Sequence, residues 1–237
     1  MLPVPPICLL CFCLPGRARL GGVVGRCTRR WERRAERAGF ALIAGVDEVG
    51  RGALFGPVVA AAAILDPRRR IAGIDDSKKL TPARREELAE KIRARALAWA
   101  VAEVFPERID AWNIYQATRQ AMQQAVAKLL PAPGYVLSDA VPLELPLPCE
   151  SHIRGDSHSV SIAAASILAK VHRDALMRAF DQQFPGYGLA RHKGYATREH
   201  LERLRALGPT SLHRKSFAPV RESLALLEAL EQNPLPF

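Results

Sequence analysis

Cysteine is scarce in most of this 237-residue sequence, because four of its five cysteines lie within the first 27 residues: Cys8, Cys11, Cys13 and Cys27. Only Cys149 follows, so we expect no disulfide framework and a reducing, cytoplasmic environment. The Cys8-x-x-Cys11-x-Cys13 spacing is typical of half a zinc site, but no second group of Cys or His follows at the usual distance. We therefore expect no zinc site in this chain.

Long apolar runs are also absent from the sequence. Residues 7–14 form an apolar stretch that is far too short to cross a membrane, and no positive charge precedes it as in a signal peptide. An arginine-rich transit peptide and a membrane-surface segment both stay open as interpretations of the N-terminal region. We expect residues 1–26 to be a disordered, basic, cysteine-containing leader and residues 27–237 to form the folded domain.

The composition is that of a globular protein, with 49% hydrophobic and 24% charged residues, and it excludes disorder throughout the chain. The net charge is +10, but it is uneven, because residues 1–40 contain eight arginines and only two glutamates. A basic balance suits a polyanionic partner such as nucleic acid. Since the rest of the chain is only mildly basic, net charge alone is a weak argument for that partner.

Apolar runs alternate with charged helical patterns along the chain. Thr81 and Pro82 indicate the start of a helix, and strand-like runs end repeatedly on acidic residues. The pattern predicts an α/β sheet with a site along one edge, followed from about residue 197 by a polar helical tail that is broken at Gly208-Pro209. Predicted strands cover residues 41–47, 57–65, 98–105 and 134–139, and predicted helices cover residues 30–38, 82–97, 108–130 and 161–180.

The predicted helix at 161–180 is rich in alanine and amphipathic. Small residues such as Ala164 on its apolar stripe allow close packing against the sheet. Its opposite, polar side is predicted to carry Lys170, Arg173, Asp174 and Arg178.

Acidic residues mark the ends of the strand-like runs. Asp47 and Glu48 follow an apolar run and precede the cationic turn Gly50-Arg51-Gly52, Asp139 ends another run, and Asp156 lies ahead of the helix at 161–180. Carboxylates that converge from separate elements form the oxygen cage that Mg²⁺ or Mn²⁺ prefers, whereas without a cation they repel one another. Taken singly, Asp139 fits a turn residue, and Asp156 fits a turn or N-cap residue.

The adjacent acids Asp47 and Glu48 pose a geometric question. Neighbouring strand residues point to opposite faces, so the two side chains cannot both face one metal site in an ideal strand. Either the glycine-rich turn lets Glu48 swing towards the site, or the backbone carbonyl of Glu48 contributes instead.

Several longer motifs carry a family resemblance. They are Asp47-Glu48-Val49-Gly50-Arg51-Gly52, the stretch from Gly155-Asp156-Ser157 to Arg173-Asp174, His192-Lys193-Gly194-Tyr195-Ala196-Thr197-x-x-His200, and the segment from Gly208-Pro209 to Ser216-Phe217. In this order and spacing they resemble ribonuclease HII, the type 2 ribonuclease H of bacteria. The resemblance covers about residues 38–220, and its extent makes it specific.

The resemblance implies a ribonuclease H-like fold, with a mixed central sheet flanked by helices and a C-terminal helical lobe over about residues 197–237. It implies an endonuclease that cuts the RNA strand of RNA–DNA hybrids and the 5′ side of single ribonucleotides in duplex DNA. The residues implied to bind two Mg²⁺ or Mn²⁺ ions and to act in catalysis are Asp47, Glu48, Asp139 and Asp156. The implied substrate-binding residues are Gly50, Arg51, Gly52, Ser77, Lys78, Lys170 and Tyr195. We expect a monomer without a membrane partner.

The sequence departs from the family pattern at two places. Ala140 follows Asp139 where the family usually has glycine, which puts the local turn in question. Ala53-Leu54-Phe55 replaces the usual Pro-Leu-Ala, and the Phe-Gly-Pro ending resembles the sister family ribonuclease HIII, although Arg51 favours ribonuclease HII. Asp174 also matches the family, but it lies about five helical turns from Asp156, so we expect it to pair with Arg173 or Arg178 on the helix surface.

Two other functions stay open at the level of the sequence. A catalytically silent module that binds RNA–DNA hybrids would keep the basic loops and lose carboxylates, whereas all four acids are present here. A general Mg²⁺-dependent nuclease or phosphatase would lack selectivity for ribose. Tyr195 and Arg51 argue against that alternative, through the resemblance alone.

Overall fold

A five-stranded mixed sheet forms the centre of the computed structural model, which describes residues 27–232. The predicted leader, residues 1–26, lies outside the described residues. The strands are β1 (Ile43–Val49), β2 (Val58–Ile64), β3 (Ala98–Val104), β4 (Tyr135–Asp139) and β5 (Cys149–His152). The helices are α1 (Arg30–Arg37), α2 (Pro82–Arg95), α3 (Pro106–Trp112), α4 (Ile114–Ala127), α5 (Val160–Gln183), α6 (Leu189–His192), α7 (Arg198–Leu207) and α8 (Ala218–Gln232), with one 3₁₀ turn at Gly155–Ser157.

The strand order in the sheet is β3-β2-β1-β4-β5. The β1–β2 and β2–β3 pairs are antiparallel, whereas β1–β4 and β4–β5 are parallel. The predicted mixed sheet with flanking helices is therefore confirmed. Strand β5 was not predicted, because its short sequence Cys-Glu-Ser-His has no apolar alternation.

Helices cover both faces of the sheet. One core lies between the sheet and helices α3 and α4, and a second lies between the sheet and helices α2 and α5. Alanines 60–63 of β2 are completely buried, so the helices approach the sheet closely. At Gly45 of β1 an added Cβ would lie 2.1 Å from the backbone of Ser161 in α5. Glycine is needed there because α5 crosses directly over β1.

The prediction of a single helix at 108–130 is wrong in one respect, because this segment forms two helices, α3 and α4, separated at Asn113. This residue has a positive φ of 76°, which ends α3, and its side-chain oxygen accepts the backbone N–H groups of Tyr115 and Gln116 at the start of α4. Asparagine tolerates this conformation and caps helices well, so one residue serves both purposes. Thr81 caps α2 as predicted, accepting the N–H of Arg84.

The C-terminal region from Arg198 is helical, with a break at Gly208 that separates α7 from α8, as predicted. Gly208 has a φ of 73°, a conformation that favours glycine after a helix. Over the described range, residues 27–232, every helix is too short or too polar to cross a membrane.

Two arginines that are completely buried fasten the loop between β1 and β2 to the rest of the fold. Arg173 of α5 donates to the carbonyl oxygens of Phe55, Pro57 and Lys193 at 3.1, 3.3 and 2.8 Å. Arg214 donates to the carbonyl oxygens of Arg51 and Gly56 at 2.8 and 3.0 Å. Backbone carbonyls replace the lost hydration of Arg173 and of two of the three Arg214 nitrogens, whereas Nη2 of Arg214 has no hydrogen-bond partner among residues 27–232.

The expected polar side of α5 is thus wrong at Arg173, and so is the expected pairing of Asp174. Asp174 is nearly buried and accepts the ammonium of Lys170 at 2.7 Å, with Arg85 of α2 at 4.0 Å. Arg178 instead contacts Glu86 at 3.4 Å. Helical periodicity predicts that the side chain of Arg173 is exposed. It is buried because the loop at 51–57 packs over α5.

Replacing Arg173 by methionine should lower the free energy of unfolding by about 3 kcal/mol or more, because it leaves three buried carbonyl groups without their donor. Urea denaturation monitored by circular dichroism measures this loss. Arg178→Met is the matched control on the same helix, and it should change stability by less than about 0.5 kcal/mol since its ion pair is exposed. Equal effects of the two substitutions would contradict the bracing role of Arg173.

Candidate metal centre

Three carboxylates converge at the ends of separate elements. One oxygen from each of Asp47, Asp139 and Asp156 lies within 4.8 Å of the others. The sheet explains the first two, because Val46 of β1 is in register with Ser138 of the parallel strand β4, which places Asp47 beside Asp139. The 3₁₀ turn brings Asp156 to them, and the N–H of Gly155 donates to Asp139 Oδ1 at 2.6 Å.

Burial and mutual repulsion disfavour the charged forms of Asp47 and Asp139. The pKa of Asp47 lies well above its usual value, chiefly because of burial and then because of the charges of Glu48 and Asp139. Burial likewise raises the pKa of Asp139, opposed by the hydrogen bond from Gly155. Lys78 contacts Asp156 at 3.1 Å from an exposed position. Hard oxygen ligands that repel one another fit a divalent cation such as Mg²⁺ or Mn²⁺.

Glu48 lies beside this cluster and not within it. Strand β1 continues to Val49, so Asp47 and Glu48 are both strand residues and the expected end of the strand at residue 47 is two residues too early. One oxygen of Glu48 accepts from Arg51 at 3.4 Å, and the other is buried without a hydrogen-bond partner among residues 27–232. Burial raises the pKa of Glu48, whereas the charge of Arg51 opposes that change. An unpaired buried carboxylate oxygen is a further feature that a cation would satisfy.

Basic and hydroxyl groups surround the acids in a depression of about 260 Å³. Among the predicted substrate-binding residues, its lining includes Ser77, Lys78, Lys170 and Tyr195. The Ser77 hydroxyl is buried and shares a hydrogen bond of 2.9 Å with Ser166 of α5. The ammonium of Lys170 is held by Asp174.

Two residues of this lining, Arg85 and Ser166, were missed by sequence reasoning. Arg85 donates to the carbonyl oxygens of Ser77 and Leu80 at 2.9 and 2.6 Å, and so it holds the loop that carries Lys78. Arg85 lies in the first turn of α2, where the sequence predicts a solvent-exposed side chain. Its role depends on the loop before the helix folding back over it.

The two glycines that flank Arg51 differ in their surroundings. Gly50 has a φ of 91°, and an added Cβ would lie 2.2 Å from Nε of Arg173. In the part of the chain that the structure describes, no heavy atom lies within 4 Å of a Cβ added at Gly52. Gly50 is therefore required by the fold, whereas Gly52 leaves the backbone beside the depression open. Ala140, where the resemblance leads us to expect glycine, has a φ of 52°, which glycine adopts more readily.

Tyr195 lies at the rim of the depression next to the Gly50–Gly52 turn. Ala53 and Tyr195 form an isolated antiparallel bridge, and the N–H of Leu54 donates to the carbonyl of Gly194 at 2.8 Å. The Tyr195 ring lies 5.5 Å from the guanidinium of Arg173, a cation–π distance. Tyr195 is half-buried, and so it differs from a core tyrosine.

A buried histidine, His200, contacts the backbone of Tyr195. The ring Nδ1 of His200 lies 3.0 Å from the carbonyl oxygen of Tyr195, and its Nε2 lies 3.3 Å from Nε2 of His213. Burial lowers the pKa of His200 to about 4 and that of His213 to about 3. Both rings are therefore neutral at physiological pH and act as hydrogen-bonding spacers.

Known proteins share both the sequence and the arrangement of these elements. The family model for ribonuclease HII matches residues 44–220. The chain is 57% identical over 196 residues to ribonuclease HII of Solibacter usitatus, a match that covers 83% of this chain and 86% of the relative. It is 53% identical over 197 residues to ribonuclease HII of Geobacillus thermodenitrificans, covering 83% of this chain and 76% of the relative.

Solved structures agree with the sequence relatives. Ribonuclease H2 of Pyrococcus horikoshii superposes with a TM-score of 0.68 at 25% identity, covering 79% of this chain and 99% of that one. Ribonuclease HII of Archaeoglobus fulgidus, solved in complex with PCNA, superposes with a TM-score of 0.64 at 31% identity, covering 75% and 96%. A ribonuclease HIII solved with Mn²⁺ shares the fold, with a TM-score of 0.57 at 22% identity. The chain therefore belongs to the ribonuclease HII family and is an endoribonuclease with the ribonuclease H-like fold.

Proposed function

We propose that this enzyme hydrolyses the RNA strand of RNA–DNA hybrids and cuts on the 5′ side of single ribonucleotides in duplex DNA, leaving 5′-phosphate and 3′-hydroxyl ends. The observation that carries the proposal is that Asp47, Glu48, Asp139 and Tyr195 line one depression. The Gly50–Gly52 turn directly follows these strand acids in the chain and is joined to Tyr195 by the Ala53–Tyr195 bridge. The acids could then act on the phosphate of the same nucleotide whose sugar is recognised by the turn and Tyr195.

The catalytic and metal-binding set in this proposal is Asp47, Glu48, Asp139 and Asp156. Two divalent ions, Mg²⁺ or Mn²⁺, would lower the pKa of an attacking water and stabilise the leaving oxygen. Asp47, Asp139 and Asp156 would hold them directly. Glu48 would complete the set through its unpaired oxygen, with Arg51 restraining the other oxygen.

Selectivity for ribose would come from the open backbone at Arg51 and Gly52 and from the Tyr195 ring. The 2′-hydroxyl can both donate and accept hydrogen bonds, and it is the group that deoxyribose lacks. An aromatic ring at the rim can stack on the next sugar or base and so position the scissile phosphate. Lys78 and Lys170 would contribute positive charge towards the phosphates on either side.

The alternatives have less support. A catalytically silent module does not need three carboxylates within 4.8 Å of one another. A ribonuclease HIII-like enzyme is disfavoured, because the ribonuclease HII model matches the chain and Arg51 is present. We further propose a monomer, and a cytoplasmic location that suits the free thiols of Cys27 and Cys149.

Asp139→Asn should reduce kcat by at least about a hundredfold without loss of stability, because it removes a metal-binding charge at almost constant volume. Cleavage of duplex DNA with one ribonucleotide in Mg²⁺, with the product ends mapped, measures this. Asp181→Asn, on α5 and outside the acid cluster, is the matched control and should retain activity. Comparable activity in the two variants would refute the assigned metal site.

The same substitution should also change how stability depends on pH. Because the folded-state pKa of Asp139 is raised, its ionisation destabilises the metal-free protein as pH rises above about 4, the unfolded value. Metal-free Asp139→Asn should therefore melt at or above the wild-type temperature at pH 7, and this difference should shrink towards pH 4. Added Mg²⁺ should stabilise the wild type and not the variant.

Gly52→Val should impair cutting while leaving the melting temperature unchanged, because the added side chain enters open space beside the depression and not the protein interior. The expected loss in kcat/KM is about tenfold or more, from a displaced substrate sugar. Gly50→Val is the contrasting variant, and it should lower stability because its side chain would meet Arg173. A fully active Gly52→Val enzyme would exclude close approach of the substrate to this turn.

Tyr195→Ala should reduce cutting at a single ribonucleotide more than cutting within four consecutive ribonucleotides, because stacking matters most where one sugar defines the site. The ratio of kcat/KM on the two matched duplexes is the measurement, and Tyr195→Phe should preserve it. If Tyr195 serves packing alone, the alanine variant should lose about 3 kcal/mol of stability and both activities should fall together. That outcome would remove Tyr195 from ribose recognition.

A further inference from the structure

A second and larger cavity, outside the acidic depression, lies between helix α1 and the loop at 65–72. Its volume is about 790 Å³. Leu65, Ile71, Ile74 and Val160 contribute an apolar floor. Its charged lining consists of six arginines, Arg29, Arg30, Arg33, Arg37, Arg69 and Arg70, and one acid, Asp66. We call this cavity the arginine cleft.

The arginine cleft carries a strong uncompensated positive charge. Arg29 pairs with Glu36 at 2.6 Å, and Asp66 accepts a backbone N–H from Arg68. Within residues 27–232, the five other arginines of the cleft form no ion pair. Five are solvent-exposed, and Arg29 is half-buried. Guanidinium groups on two facing walls suit a ligand that carries several phosphates, since each group can bind phosphate oxygens in a bidentate manner.

Buried contacts fix the wall formed by α1. Glu32 is almost completely buried and accepts from the Ser159 hydroxyl and from the N–H of Ser161 at 3.0 Å, at the start of α5. On the same helix, Trp31 stacks on His152 at the end of β5, with ring centroids 3.7 Å apart. The arginines of α1 therefore project from a helix whose position is set by the same elements that carry the acid cluster.

Cys27 links the arginine cleft to the turn that carries Asp156. The Cys27 thiol lines the cleft and donates to the backbone carbonyl of Asp156 at 2.9 Å. Thr28, also in the lining, forms an isolated bridge with Ser159, and its carbonyl accepts the N–H of Val160. One end of the cleft thus lies directly behind the turn that holds Asp156.

We propose that the arginine cleft binds the phosphate backbone of the duplex that flanks the cleavage site. This inference rests on the proposed function, because it assigns the substrate a second contact surface beyond the scissile nucleotide. A duplex carries about one charge per 1.7 Å of its axis, so a flank that leaves the metal centre past Asp156 would present several phosphates to both walls. Such contacts position the duplex and carry no sequence information.

Charge selects the class of ligand for the cleft. Residues 1–26 contain Arg17, Arg19 and Arg26 and no acidic residue, so their sequence offers no complementary charge. A polyanion is the complementary ligand. An acidic membrane surface shares this chemistry, and vesicle binding distinguishes it from a duplex.

The test uses two double variants of the full chain, one for each wall: Arg33→Gln with Arg37→Gln, and Arg69→Gln with Arg70→Gln. Arg108→Gln with Lys128→Gln is the matched control, since it removes two exposed charges from α3 and the end of α4, on the other face of the sheet. Fluorescence anisotropy measures binding to an all-DNA duplex across a salt series, and circular dichroism melting confirms that each variant is folded. An all-DNA duplex is not cut, so this binding measurement does not depend on catalysis.

Each wall variant should weaken binding by about tenfold or more at 0.1 M salt and make the plot of log K against log salt shallower by about 1 to 2 units. The control should match the wild type. The KM of each wall variant is then compared with that of the wild type on duplexes that contain one ribonucleotide. It should be higher when the substrate extends about two helical turns on the side that reaches the cleft, and it should be unchanged when that extension is much shorter. The kcat should be unchanged, because the variants leave the acid cluster intact.

Equal salt slopes in the wild type and both wall variants would overturn the proposal, whether or not the enzyme cuts ribonucleotides. If the slopes differ as expected but the wild type cuts no ribonucleotide, the proposed function fails and the cleft assignment stands. Cosedimentation of the protein with vesicles that contain phosphatidylserine tests whether the cleft binds a membrane surface instead. Pelleting that the wall variants lose, with duplex binding unchanged, would replace the duplex by a membrane surface and overturn the proposal.

Discussion

The repulsion among three carboxylates held within 4.8 Å of one another is the constraint on which the rest of this structure depends. Parallel pairing of β1 with β4 sets Asp47 beside Asp139, and the Gly155–Ser157 turn adds Asp156. Each contact that holds an acid in place, such as the N–H of Gly155 on Asp139, works against this repulsion. A divalent cation would reverse the sign of this interaction, so the arrangement of the three acids favours a bound metal.

The loop between β1 and β2 depends on a different interaction, the hydrogen bonding of backbone carbonyls by Arg173 and Arg214. These two side chains hold the Gly50–Gly52 turn and the loop that follows it against α5 and the segment before α8. Tyr195 lies over one of the two guanidinium groups. The acid cluster and the groups proposed to read the ribose are therefore held by the same packed elements, so that a shift of α5 would displace both.

Positive charge in the described structure is arranged around this frame in two zones. Lys78 and Lys170 border the acids and are each restrained by a carboxylate, whereas most arginines of the cleft have no acidic partner. Restrained cations suit a site that must position one phosphate accurately. Free arginines suit a flexible, sequence-independent grip on a longer backbone, where salt-dependent attraction matters more than geometry.

The sequence by itself determined most of the strands and helices and pointed to the acids. Apolar runs marked β1 to β4, Thr81 marked the start of α2, and four acids in family spacing pointed to a metal-dependent nuclease. Only the tertiary structure decided the interior position of Arg173, whose partner Phe55 lies 118 residues away, the split of one predicted helix at Asn113, and the arginine cleft. Periodicity reports on contacts with near neighbours in the chain, whereas burial of a side chain by a returning loop depends on how distant segments pack.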